Sequence, residues 1–120
     1  MSQKDTDHHE DLRVWQEAIQ LVKHLYHFTA ALPAQEQFGL TSQLRRAAVG
    51  IAANIAEGAA RGRTREFLHF LSIAQGSLAE VDTLLVVVRE IYQLESNLQP
   101  QIIQLRRMLI RLRGSLAKKV

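Results

Sequence analysis

The residues best suited to chemistry in this 120-residue chain are its five histidines, twelve carboxylates and fifteen bases, with no cysteine among them. Lacking thiols, it has no Cys-ligated zinc, thiol nucleophile or disulfide framework. Glu66 and His69 make one Glu-x-x-His pair. That spacing sets two ligands on one helical face in ferritin-like di-iron bundles, a design that needs a second copy and further glutamates. No second copy is present; His24 and His27 fall on the polar side of a helical pattern, and His8 and His9 lie in a polar N-terminal run. Glycine-rich phosphate loops and nucleophile elbows are also missing. Glu57, Glu66 and Glu80 are acid–base candidates on paper, but each has a nearby arginine or a helix start to explain it. The expectation is a protein with no catalytic residues, no metal and no cofactor, and not an enzyme.

Charge offers a different chemistry. The net +3 is ordered along the chain: residues 1–39 sum to −3, 40–66 to +3 and 67–95 to −3, while the stretch from Ser96 onward has six bases and no acid. Eleven of the fifteen bases are arginine, whose planar fork suits bidentate pairing with phosphate or carboxylate. Two clusters follow as candidate nucleic-acid contacts: Arg61, Arg63 and Arg65, then Arg106, Arg107, Arg111, Arg113 and Lys118 with Lys119. Aromatic stacking platforms are scarce, so binding would be phosphate-dominated, sequence-tolerant and steeply salt-dependent. The rival expectation is an assembly or adaptor protein without a nucleic-acid ligand, whose arginines close ion pairs between subunits.

The elements that must position these residues are helical. From Leu12 to Leu32 apolar residues recur at three- and four-residue steps (Leu12, Trp15, Ala18, Ile19, Val22, Leu25, Tyr26, Thr29) opposite a polar face, and the pattern stops before Pro33. A second helix starts near Thr41 or Ser42, plausible caps, and runs to the Gly58–Gly62 region. Thr64 can cap a third and longest helix, reading Phe67, Leu71, Ala74, Leu78, Val81, Leu85, Val88 and Tyr92 along one face. Ser96, Asn97 and Pro100 break it and open a fourth, which continues toward Gly114. The expected fold class is all-α, an antiparallel up-down-up-down four-helix bundle forming one domain over residues 1–120, with residues 1–10 a polar, mobile tail.

Some faces are too apolar for a lone bundle. AAVGIAANIA from Ala47 and LLVVV from Leu84 are apolar on several sides, and Ile103 with Ile110 makes a second stripe beside Ile102, Leu105, Met108, Leu109, Leu112 and Leu116. A subunit interface would cover them. The first eleven residues do not resemble a signal peptide. The longest charge-free stretch, Phe67–Ala79, falls short of the roughly 18 residues of a membrane span. A cytoplasmic location with no membrane partner is expected.

A polar stripe marks the meeting of helices two and three: Arg46, Gly50, Asn54, Glu57 and Arg61 on one, Glu66, Gly76, Ser77 and Glu80 on the other. A hairpin about residues 62 and 63 would bring Gly50 to Gly76 and Arg45 or Arg46 to Glu80. The stripe is expected to be structural, with a charged groove presenting Arg46, Asn54, Glu57 and Arg61 to a ligand as the other reading.

The run FGLTSQLRRAAVGIAANIAEGAARG from Phe38 and EFLHFLSIAQGSLAE from Glu66 resemble the 23S rRNA intervening-sequence proteins, a bacterial four-helix-bundle family. Q-L-R-R-A-A, N-I-A-E-G and G-S-x-x-E in this order are specific together, and the likeness extends more loosely over Val14, Trp15, Ala18, Tyr26, Pro33 and Glu36. Gly50 stands where the family usually has serine. The resemblance implies a homopentamer. It also implies possible RNA or DNA binding and a protein partner, because the related accessory proteins of diversity-generating retroelements bind nucleic acid and a reverse transcriptase. It transfers no catalytic residue.

Overall fold

A computed structural model describes residues 12–120, so the expectation for the N-terminal tail lies outside the described residues. The described chain is all-α, with four helices and no strand: α1 (Arg13–Thr29), α2 (Leu40–Ala60), α3 (Thr64–Tyr92) and α4 (Gln99–Ala117). A short 3-10 turn, Ala34–Glu36, precedes α2. The molecule measures 47 × 24 × 22 Å, so its length is close to that of α3 alone, about 43 Å at 1.5 Å per residue. Each helix touches its neighbours in the order α1·α2, α2·α3, α3·α4 and α1·α4, and the α2·α3 contact is the most extensive.

One core serves all four helices. Leu21 and Leu25 of α1, Leu44, Ile51 and Ile55 of α2, Leu71, Leu78, Val81 and Val88 of α3, and Ile102, Leu105 and Leu109 of α4 are all fully buried. Burying each such side chain contributes roughly 1.5–3 kcal/mol. In α3 and α4 every buried residue belongs to the expected stripe, while Phe67, Tyr92, Met108, Leu112 and Leu116 of those stripes are half-buried against the core. In α1 the buried face is rotated from the expected one: Val14, Ala18, Leu21, Leu25 and Thr29 face inward, while Ile19 and Tyr26 stay exposed. The inward residues follow a three- and four-residue alternation, and the larger residues flank the seam.

The helix ends correct several expectations. α1 stops at Thr29 rather than Leu32, and Ala31 and Leu32 donate to carbonyls three residues back, tightening the chain before Pro33. Thr41 and Ser42 are not the caps of α2. Gly39 holds that position, and the Glu36 carboxylate accepts the Leu40 N–H at 3.1 Å. Thr64 is the first residue of α3 and not its cap; Arg63 precedes it without a side-chain cap bond, and Glu66 sits in the first turn as expected. Gly62 makes the tight α2–α3 connection with φ +75°, a backbone region that favours glycine. Gly114 lies inside α4 and does not end it.

The close approach of α2 and α3 is also displaced from its expected place. A Cβ at Gly76 would meet nothing within 4 Å, and one at Gly50 would touch only the Ser77 Oγ, at 3.5 Å. The tight position is Gly58, where a Cβ would lie 2.7 Å from the Phe70 Cβ and 3.0 Å from the Phe67 Cδ1.

By length and composition alone α3 could cross a membrane: an 18-residue window has mean hydropathy 1.5, with only 33% of it buried. Its inner face belongs to the common core, while Ile73, Val86 and Ile91 remain exposed.

Candidate nucleic-acid interface

The basic residues separate into those already engaged within the chain and those left facing solvent. At the α2–α3 turn, Arg61 is 2.8 Å from the Glu57 carboxylate and 3.5 Å from that of Glu66. Its guanidinium lies 4.8 Å from the centre of the Phe70 ring. The hydrogen bond from Arg61 to Glu57 leads the effects that raise the guanidinium pKa further. Arg63 reaches Glu66 at 3.7 Å. Two of the three turn arginines are thus partly neutralised by local acids, while Arg65 is exposed and has no ion pair among the described residues.

α4 divides its arginines between two sides. Arg106 donates to Asp82 at 2.9 Å, beside a Gln99 amide that donates to the same carboxylate at 3.0 Å, and Arg113 donates to the Gln75 side chain. These two arginines hold α4 against α3. Arg107 and Arg111 point the other way, into a groove of about 730 Å³ between α4 and the start of α1, where Arg13 joins them. None of these three makes an ion pair among the described residues. Lys118 is exposed at the end of α4.

The polar stripe is largely a set of internal contacts. Arg45 turns toward α1, donating to the Thr29 hydroxyl at 2.8 Å and the Tyr26 carbonyl at 3.3 Å, with its guanidinium 4.3 Å from the Tyr26 ring centre. Asn54 donates to the Gly50 carbonyl of its own helix at 2.7 Å, and Ser77 is half-buried opposite Gly50. The expected pairing of Arg45 or Arg46 with Glu80 does not form; Arg46 and Glu80 are both exposed and share no ion pair. The register explains why. With Gly50 against Ser77, position 46 falls opposite Val81, and Glu80 is turned about 100° away around α3. In the stripe's other reading, as a charged groove, Arg61 and Glu57 are half-exposed but pair with each other, and Arg46 is exposed.

Several contacts were not visible in the sequence. The Tyr92 hydroxyl donates to the Glu36 carboxylate, joining the end of α3 to the 3-10 turn. This bond, with the Leu40 N–H, holds the Glu36 carboxyl below the usual carboxylate range, and the Glu36 carboxylate in turn pushes the Tyr92 hydroxyl up. Arg13 was legible as a polar-face residue of the first helix, but its place beside Arg107 depends on α1 meeting α4. No group of three or more His or carboxylate side chains is placed to hold a metal among the described residues.

No curated protein matches the chain. The model of the 23S rRNA-intervening sequence protein family matches residues 10–111, spanning α1, α2, α3 and most of α4. The α2–α3 turn arginines, the Gly58 contact and Arg107 and Arg111 of the α1–α4 groove fall within that span, and the chain belongs to the 23S rRNA-intervening sequence protein family.

Proposed function

We propose that this protein is a non-enzymatic, cytoplasmic homo-oligomer of antiparallel up-down-up-down bundles that binds RNA or DNA through arginine-rich surfaces repeated around the assembly. The contact pairs support the bundle topology. Gly58 meets Phe70 while Gly50 meets Ser77, and Asp82 meets Arg106 while Gln75 meets Arg113, so numbers rise on one helix as they fall on the next. The exposed apolar residues outside the α1–α4 groove support assembly: Ile110 is 52% exposed, and Val49, Ile73, Val86 and Ile91 add to it. A subunit contact would remove this surface from water. The pentamer implied by the family resemblance would present each basic surface five times, turning a weak contact into an avid one.

The observation that carries the nucleic-acid reading is the stripe Arg107, Arg111 and Lys118, exposed and without an ion pair among the described residues. The family's own name, which refers to an intervening sequence of 23S rRNA, agrees with it. The test is RNA binding by anisotropy across a salt series, with light scattering on the same samples. Binding that collapses between low and physiological salt, by a particle larger than one chain, is the expected result; a monomer, or binding indifferent to salt, refutes it.

The exposure of Ile103 and Ile110 beside Arg107 and Arg111 favours one rival, an assembly or adaptor protein whose arginines serve subunit contacts. Arg107→Gln with Arg111→Gln separates the two. Lost RNA binding with the oligomer intact supports the nucleic-acid reading, and a broken oligomer supports the rival.

A further inference from the structure

Three features of the α1–α4 groove have to be explained together. Its walls are apolar: Val14 is buried, Met108 and Leu112 are half-buried and Ile103 is open to the cleft. Its cations are Arg13 from α1 with Arg107 and Arg111 from α4, and no acid lines it among the described residues. Its basic edge continues beyond the cleft, because Arg107, Arg111, Ser115 and Lys118 follow steps of four, four and three along α4. Such steps keep residues on one side of a helix. From Arg107 to Lys118 the stripe runs about 16 Å along the axis.

We infer that this groove is a binding site for single-stranded nucleic acid, with the phosphodiester chain on the Arg107–Arg111–Lys118 edge and Arg13, and base faces against the apolar wall. The inference rests on the nucleic-acid reading above and gives it a location and a strand preference. Arginine forks pair with phosphate oxygens two at a time. Repeated cations along one helical stripe match an extended polyanion better than a compact one, which would engage a single arginine pair and leave Lys118 idle. The apolar wall then selects between forms of the polymer. A duplex keeps its base faces stacked inside and offers the groove only phosphates, whereas a single strand can lay exposed bases on apolar and guanidinium surfaces. The volume of about 730 Å³ lies within the ordinary range of small-ligand clefts, roughly 300–1,000 Å³, fitting a short stretch of strand rather than a whole helix.

The α2–α3 turn is the internal control. Arg61 and Arg63 are on Glu57 and Glu66, so strand phosphates there must first displace carboxylates.

The test uses the full chain, a fluorescein-labelled oligothymidylate, the same strand annealed to its complement, and polyglutamate as a competitor. The wild type is expected to bind the single strand about tenfold or more tightly than the duplex, with polyglutamate competing poorly. Arg107→Gln with Arg111→Gln should weaken strand binding more than tenfold. It should also flatten the dependence of log affinity on log salt by about 1.4, the share of two phosphates on a single strand. Ile103→Ser should narrow the preference for strand over duplex, and Arg61→Gln with Arg63→Gln should weaken binding less than the Arg107/Arg111 pair does. Circular dichroism and light scattering on each variant confirm that fold and assembly are kept. Equal binding of strand and duplex, undiminished binding by the Arg107/Arg111 variant, or stronger binding of polyglutamate each overturns this inference while leaving nucleic-acid binding elsewhere on the protein standing. A wild type that binds neither probe at low salt overturns both.

Discussion

Replacing glycine by alanine should have opposite effects at two positions inside neighbouring helices. Gly58 and Gly76 both lie within helices, in α2 and α3. Intrinsic propensity favours alanine at each by about 1 kcal/mol. At Gly76 the new methyl meets nothing within 4 Å, so Gly76→Ala should stabilise by about 0.5–1 kcal/mol. At Gly58 the methyl would lie 2.7 Å from the Phe70 Cβ and 3.4 Å from the Phe67 Cα, well inside the ~3.5–4.0 Å optimum for carbon pairs. The Phe67 ring can swing away, but the Phe70 Cβ is fixed to the backbone, so α3 itself must move. Overpacking of this kind costs about 1–3 kcal/mol. Once the propensity gain of about 1 kcal/mol is subtracted, Gly58→Ala should be destabilising by up to about 2 kcal/mol. The propensity gain is common to both, so the two variants should differ by the overpacking cost, roughly 1–3 kcal/mol, or about 4–12 °C in Tm for a domain of this size. Thermal and urea unfolding followed by circular dichroism, at one chain concentration and with particle mass checked, measures both. A Gly58→Ala protein as stable as Gly76→Ala, or a destabilised Gly76→Ala protein of unchanged mass, would refute the placement of the α2–α3 contact.

Two further outcomes follow from the polar contacts. Arg45→Ala removes the bond to Thr29 and the stacking on Tyr26 and should cost about 1–2 kcal/mol in urea unfolding; Arg46→Ala, at an exposed site with no ion pair among the described residues, should stay within about 0.5 kcal/mol of wild type. Because the folded Glu36 carboxyl titrates below its ordinary value, its contribution is present above the unfolded carboxylate pKa and lost as pH falls through the folded value. Tyr92, raised by the same bond, contributes below the ordinary phenol pKa and loses that contribution as pH rises through its folded value. Tyr92→Phe should therefore flatten both limbs of the stability–pH curve, and unchanged limbs would contradict the bond.

Helix existence and the inner faces of α3 and α4 were legible because periodicity reports directly on which side is buried. The α1 face was misjudged because Ile19 is as apolar as Leu21 and the Tyr26 ring offers a large apolar body, so that only the positions of α2 and α4 decide which residues turn inward. Caps were misread for a related reason. Thr41, Ser42 and Thr64 have the right chemistry, yet Glu36 arrives from an adjacent turn to bond Leu40, a contact set by three-dimensional folding. Among the basic residues, composition identified the clusters but could not distinguish Arg106, committed to Asp82 on α3, from its neighbour Arg107. That distinction depends on a 24-residue separation and on which side of α4 meets α3.

The extensive α2–α3 contact joins helices separated by only Arg61, Gly62 and Arg63, whereas the sparser α1–α4 contact includes a bond between His24 and Gln101, 77 residues apart. Closing the first requires little chain entropy and closing the second much more. The hairpin should therefore form first in folding and open last in hydrogen exchange, with α1 and α4 docking on each other late and releasing early. The arginine-lined groove is built on that late seam, so its width can fluctuate by partial release of α1 from α4 while the hairpin beneath stays intact.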